Sequence, residues 1–216
     1  MDFVIAIDGP AASGKGTVAS GLARHYGLPY LDTGVLYRAV GVAALAAGGS
    51  PQDPQAALAA ARALRLGAID PSAVRTAAAG EAASQAAAHP EVRQALLALQ
   101  RGFAGQPGGA VLDGRDIGTV IAPEAPAKLF VTARPEVRAE RRWKQLAGQG
   151  EPLSFEAVLE DIRRRDARDA GRAAAPLVQA KDAVLLDTSE MSISEAADAA
   201  RRIVEAARAR WEQSRG

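Results

Sequence analysis

Short apolar runs ending in turn or cap residues alternate along this chain with longer stretches whose apolar positions recur every three or four residues. That is the β/α alternation of a buried parallel sheet. The runs predict strands at 3–8, 29–32, 110–113, 128–133 and 183–187, and the longer stretches predict helices at 15–26, 35–47, 90–103, 135–146, 154–169 and 192–211. Residues 70–88 also read as helix. The last helix opens with a capping box, Ser192-Ile193-Ser194-Glu195, and carries Ala196, Ala199, Ala200, Ile203, Val204, Ala207 and Trp211 on one stripe, which is core packing. Five strands alternating with helices imply a doubly wound α/β fold, a five-stranded parallel sheet with helices on both faces, whose ligands bind at the carboxyl ends of the strands.

Directly behind the first apolar run stand Gly9-Pro10-Ala11-Ala12-Ser13-Gly14-Lys15-Gly16-Thr17. A β-branched strand running through a Gly-rich turn into Gly-Lys and a helix is the phosphate-binding P-loop arrangement. Glycines let successive backbone N–H groups wrap one anion, the helix points its positive end at the same spot, and the Lys ammonium reaches the outer phosphates. The loop is therefore expected to hold a nucleoside triphosphate. The strict motif places Ser or Thr immediately after the Lys to help hold Mg²⁺. Here Gly16 takes that place and the hydroxyl follows at Thr17, which is left to act on phosphate or on metal-bound water.

The other strand ends gain weight from the same topological rule. The second delivers Asp32-Thr33-Gly34 and the third Asp113-Gly114-Arg115-Asp116, so three polar clusters should meet on one rim. Asp32 or Thr33 serves equally well as a helix N-cap or as a ligand group. The Asp-Gly-Arg-Asp cluster is either a turn with an internal ion pair or a place where phosphate or Mg²⁺ draws ligands. Arg165, Asp169 and Arg172, spaced four and three apart, share a helix face as an Arg-Asp-Arg ladder, although Glu160 with Arg164 and Asp161 with Arg165 have the spacing of solvated surface pairs. The turn-rich stretch 146–152 is a connector or the hinge of a closing lid.

Composition narrows the choice. With 216 residues the chain has the size of one domain. It has no cysteine, which removes disulfides, thiolate metal sites and Cys nucleophiles and suits a reducing compartment. The two histidines, His25 and His89, fall in helical stretches and read as ordinary helix residues. A net charge of +1 gives no reason to expect a nucleic-acid or membrane partner, and four of the basic residues, Lys15, Lys128, Lys144 and Lys181, are Lys while the rest are Arg. No leader-like or membrane-length apolar run is seen, so a cytoplasmic protein is expected. A guanine-reading Asn-Lys-x-Asp segment is missing, which argues against a GTPase.

Taken together, Ile7-Asp8-Gly9-Pro10 to Thr17, Leu31-Asp32-Thr33-Gly34 with Tyr37-Arg38, Ala83-Ser84 with Val92-Arg93, Asp113 to Val120, and Arg165-Asp166 to Leu177 resemble bacterial cytidylate kinases over nearly the whole length. The resemblance implies a P-loop kinase that moves the γ-phosphoryl of ATP to CMP or dCMP with Mg²⁺, as a single domain over 1–216 and a monomer. It also implies a monophosphate-binding region over about 34–109 and a lid over about 143–160. Gly9, Pro10, Ala11, Ala12, Ser13, Gly14, Lys15, Gly16 and Thr17 would hold ATP, and Lys15, Arg38 and Arg115 would be the catalytic cations, the latter two clamping the acceptor phosphate. Ser84, Arg93 and Asp116 would read the cytosine edge, Arg165 and Asp169 would contact the sugar, Arg172 would support Asp116, and Thr33 and Asp113 would complete the substrate set. Arg141 and Arg142 would reach the phosphates on lid closure. Members of this family commonly carry a strand-rich insert before the Ser84 region, whereas residues 64–82 here are Ala-rich with no strand pattern. A kinase for UMP, AMP or another small molecule, or an ATP-binding module without an acceptor, are the alternatives.

Overall fold

The computed structural model describes residues 2–70, 72–150 and 153–215. Its strands are β1 (Val4–Asp8), β2 (Tyr30–Asp32), β3 (Ala110–Gly114), β4 (Ala127–Thr132) and β5 (Val184–Asp187). They form one parallel sheet in the order β2-β3-β1-β4-β5. The helices are α1 (Lys15–Tyr26), α2 (Thr33–Ala46), α3 (Pro54–Ala63), α4 (Ala77–Ala86), α5 (Pro90–Ala104), α6 (Pro135–Gly148), α7 (Phe155–Ala170) and α8 (Ile193–Gln213).

The period-2 alternation of β1 splits the core. Ile5 and Ile7 pack with Val18 and Leu22 of α1 and Val204 of α8 on one face, whereas Val4 and Ala6 pack with Leu112 and Ile117 on the other. Both faces of the central strands are covered, as their unbroken apolar runs require. The α8 stripe packs as expected, with Ala196, Ala200, Val204 and Ala207 buried and the Trp211 ring 5.3 Å from that of Phe3. The capping box at Ser192 and Glu195 is formed.

The register sets the strand ends flush. Asp8 pairs with Gly114 and Asp32 with Asp113, so the loops after β1, β2 and β3 leave the sheet at one level.

Four expectations are corrected. Residues 70–88 do not form one helix: the Asp70 carboxylate accepts from Ser72 N in a local turn that competes with helix, the Thr76 side chain caps at Ala79 N, and helix begins only at Ala77. Pro71 lies outside the described residues. The α3 helix was not anticipated, although Asp53 caps it and Pro54 occupies its first position. The fifth strand is an edge strand, with Val184 and Leu185 exposed, because only β4 pairs with it. Finally, α6 runs to Gly148, so the break before α7 is shorter than 146–152; Glu151 and Pro152 lie outside the described residues.

Candidate functional site

The loop between β1 and α1 is shaped by its glycines. A Cβ on Gly9 would stand 2.0 Å from the Val131 carbonyl oxygen of β4, so only glycine lets the chain cross there. Gly14, in the left-handed region at φ 90°, is the N-cap of α1 and supplies no side-chain acceptor, which leaves the first amides of the helix to a ligand. The outer side of the loop is clamped. Arg138 donates to the Ala11 carbonyl at 3.2 Å, and Arg141 and the Thr188 hydroxyl donate to the Ser13 carbonyl at 3.3 and 3.0 Å. The Ser13 hydroxyl is fully buried and has no hydrogen-bond partner in the protein.

Two cavities meet at Lys15 and Gly16. One, of about 490 Å³, lies between the loop, Arg141 and Arg142 of α6, and the segment around Met191 and Ile193. The other, of about 170 Å³, gathers Asp32, Thr33 and Arg38 from β2 and α2, Ser84 from α4, Arg93 from α5, Asp113, Arg115 and Asp116 from the end of β3, and Arg165, Asp169 and Arg172 from the end of α7 and beyond. The first is mostly apolar; the second is lined by charged side chains. A triphosphate in the first would point its terminal phosphate at whatever occupied the second.

Every residue expected in the monophosphate site lines this second cavity, but the pairings differ from those the sequence suggested. The Asp-Gly-Arg-Asp cluster makes no internal ion pair. Asp113 accepts from the Tyr30 hydroxyl at 2.9 Å, Arg115 Nε donates to Asp169 at 2.7 Å, and Asp116 pairs with Arg93. The ladder keeps one rung, Arg172 with Asp169, instead of Arg172 supporting Asp116, and Arg165 lies 2.9 Å from Asp161, the pair its i,i+4 spacing suggested. Of the two candidate caps, Asp32 caps α2 by accepting from Gly34 N, and the Thr33 hydroxyl, buried, donates to the Asp113 carbonyl. Arg38 donates to the Val74 carbonyl at 3.0 Å. Ser84 Oγ and two nitrogens of Arg172 are buried without a partner, which marks them as groups awaiting a ligand.

Charge is held here against its own tendency. Burial, with Arg115 adding to it, pulls the Lys15 ammonium down to about 8. Burial and the neighbouring Asp32 push Asp113 up to about 6. Burial works against Arg115 too, but Asp169 outweighs it and keeps the guanidinium charged. At Asp169 burial opposes the carboxylate, and Arg115 with Arg172 overcomes that and lowers it. An excess of positive groups around an enclosed space suits a doubly charged phosphate.

Several contributing residues escaped the sequence reading. Tyr30 holds Asp113, the Tyr37 ring lies 5.4 Å beneath the Arg93 guanidinium, and Glu81 of α4 receives Arg168 at 3.0 Å. Arg138 pairs with Asp166 at 2.6 Å while clamping the loop. Tyr37 stood in the Tyr37-Arg38 motif without a role of its own, and Tyr30 flanks Leu31-Asp32-Thr33-Gly34; the Arg138 and Thr188 contacts join residues 127 and 175 apart and leave no local signal. His89 is turned away, its ring against the Pro51 carbonyl. Among the described residues no helix is long and apolar enough to cross a membrane.

Comparison with known proteins bears on the same residues. Residues 5–206 match the family model described as "Cytidylate kinase". The chain is 70% identical over 210 residues to the cytidylate kinase of Caulobacter vibrioides (strain NA1000 / CB15N), covering 97% of this chain and 99% of that one. It is 66% identical over 216 residues, all of both chains, to the cytidylate kinase of Caulobacter sp. (strain K31). Among solved structures, an uncharacterized protein from Eubacterium ventriosum ATCC 27560 superposes with a TM-score of 0.57 at 15% identity, covering 94% of this chain and 99% of that one, which speaks for the fold alone.

Proposed function

The chain belongs to the cytidylate kinase family, and from that premise we propose how its residues carry the γ-phosphoryl group of ATP to CMP or dCMP. The observation that carries the assignment is the meeting of two cavities at Lys15 and Gly16, one apolar and one lined with Arg and Asp. In-line transfer between two phosphates requires positioning and the neutralising of charge rather than a covalent intermediate. The loop amides and Lys15 hold the donor phosphates. Arg38 and Arg115 grip the acceptor phosphate and bring it into line, and Arg172, with unpartnered nitrogens, adds a third charge there. Arg93 and Asp116, locked together in the free protein, present one donor edge and one acceptor edge to a base, and the buried Ser84 hydroxyl faces the same space. Thr33, Arg165 and Asp169 complete the sugar and phosphate contacts, with Asp113 behind them. The acceptor phosphate is already an anion near neutral pH, so no strong base is required.

Mg²⁺ fits the donor set as an ion carried by phosphate. No group of three or more Asp, Glu or His gathers as a metal cage among the described residues, whereas Mg²⁺ keeps most of its waters and binds through phosphate oxygens with one or two protein oxygens. The exposed Thr17, next to Gly16, and the rim carboxylates Asp32 and Asp113 are the groups we assign to it or to its waters. When bound, the ion withdraws charge from the transferred group.

The proposal includes a cytoplasmic monomer, since the nucleotide substrates are cytoplasmic and one chain lines both cavities. It also includes a single domain in which residues 34–109 shape the acceptor side and 143–160 form a lid, tethered in this state by the Trp143 indole N–H to the Leu153 carbonyl at 2.9 Å. Closure would exclude water and suppress ATP hydrolysis.

The test is ADP release from ATP and Mg²⁺ with CMP, dCMP, UMP, AMP, GMP or no acceptor. Release dependent on CMP and dCMP is expected. Release indifferent to all five would leave only a triphosphate cradle.

A further inference from the structure

Asp8 closes β1 and is 4% exposed, yet it lines neither cavity and has no ion-pair partner among the described residues. Its two carboxylate oxygens each accept a backbone N–H at 2.7 Å, from Ile117 and from Gly118. These amides open a π-helical turn, Ile117–Ile121, a wide turn that proteins use sparingly and mostly near functional sites. The turn begins immediately after Arg115 and Asp116, which point into the acceptor cavity. On its other side Asp8 is followed by Gly9 and the phosphate loop.

We propose that Asp8 is a positioning residue for the acceptor nucleotide: its carboxylate latches the turn that aims Asp116, and with it Arg93, at the acceptor base, and so fixes that reader against the phosphate loop. The turn is also held by backbone bonds from Val120 and Ile121 to the Asp116 carbonyl and by Arg101 to the Val120 carbonyl, but among the described residues only the Asp8 carboxylate ties its opening amides to β1. Ile117 is wholly buried but apolar, and an apolar contact does not set the rotation of a peptide plane as two charge-assisted hydrogen bonds do. The local packing is built around the latch. A Cβ on Gly118 would come 3.3 Å from Asp8 Oδ2 and 3.2 Å from Lys128 Cδ, so glycine at 118 leaves the carboxylate its approach. The phosphate loop, in contrast, is clamped from outside by Arg138, Arg141 and Thr188 and does not depend on the Asp8 carboxylate.

That asymmetry gives the test, which rests on the assignment of Arg93 and Asp116 to the acceptor base. Asp8→Asn keeps the size of the side chain but turns an N–H₂ donor against one of the two backbone donors. The KM for CMP should rise about tenfold, with a matching loss in calorimetric CMP binding, while the KM for ATP stays within twofold. A Gly118→Ala variant presses on the latch from the other side and should shift the same ratio in the same sense by about threefold. It also serves if the Asn variant does not fold. Equal rises in both KM values, or an unchanged KM for CMP beside a lowered Tm, would overturn the proposal and leave Asp8 a structural residue. A wild-type protein that releases no ADP in response to CMP would instead overturn the functional reading.

Discussion

Lys15 and Arg115 aim positive charge at the same enclosed space, and Arg115 is the neighbour that most disfavours the Lys15 ammonium. The free protein holds that repulsion, and a bound polyphosphate relieves it. Lys15→Ala should therefore separate two quantities that usually fall together. Turnover should drop by about a thousandfold or more, because a preorganised charge at the transferred group is lost, while the Tm of the free protein should hold or rise. Steady-state kinetics beside thermal melts decide it, and wild-type turnover in this variant would end the phosphate-cradle argument. Arg115 plays a different part. Its loss in Arg115→Ala removes charge-assisted bonds worth about 1.5–3 kcal/mol, so the KM for CMP should rise roughly 10- to 100-fold with a much smaller change for ATP.

Among the elements, α6 joins the two halves of the site. Arg138 reaches from it to the phosphate loop at Ala11, to Ala133 just past β4 and to Asp166 of α7, the residue beside Arg165 and three before Asp169. Truncating a buried cation that serves three elements strands their acceptors. We expect Arg138→Ala to cost about 3 kcal/mol in urea denaturation and to raise the KM of both nucleotides together. Ser192→Ala, which removes the cap of α8 at the wall of the first cavity, should cost about 1 kcal/mol in urea denaturation. The same helices show what a one-dimensional pattern can carry. Strands β1 to β5 and α1, α2, α5, α6, α7 and α8 were legible because apolar runs, Pro starts and capping boxes are local chemistry. The family resemblance also named residues that gather in the second cavity, from Thr33 and Arg38 to Arg165, Asp169 and Arg172. Who pairs with whom across the fold was not legible: Asp116 with Arg93 and Arg115 with Asp169 depend on how α5 and α7 lean over the sheet, whereas the ladder read from spacing along one helix kept its Asp169–Arg172 rung. The 70–88 region misled for a related reason, since Ala-rich sequence favours helix everywhere while Asp70 and Thr76 decide locally where it begins.

For the whole molecule the displaced titrations add up to a pH profile. Asp8 and Asp113 are pushed up to about 6, so between about pH 4 and 6 the folded chain holds protons that the unfolded chain has released. Stability from these groups is therefore gained as pH falls through 6 and is missing above it. Lys15, drawn down to about 8 from 10.5, is neutral in the fold while still charged when unfolded, so its contribution grows as pH rises from 8 to 10.5. Replacing Asp113 by Asn should raise the Tm at pH 7, with the gap to wild type closing by about pH 4; a gap that persists there would contradict the burial argument. Catalysis responds in the opposite sense. On the proposed role of Lys15 in holding the donor phosphates, kcat/KM for ATP should fall above about pH 8 while kcat, measured with the site full, stays flatter.

The wall of Lys15 and Gly16 that the two cavities share also acts as a ruler. Two nucleosides joined end to end by a phosphate chain would lodge in both spaces at once if the chain were long enough to pass over that wall. The second contact would then form at the high effective concentration set by the tether. Affinity should climb with each added phosphate until the span is matched and decline beyond it. A series of such compounds differing by one phosphate would measure the gap that the transferred group crosses.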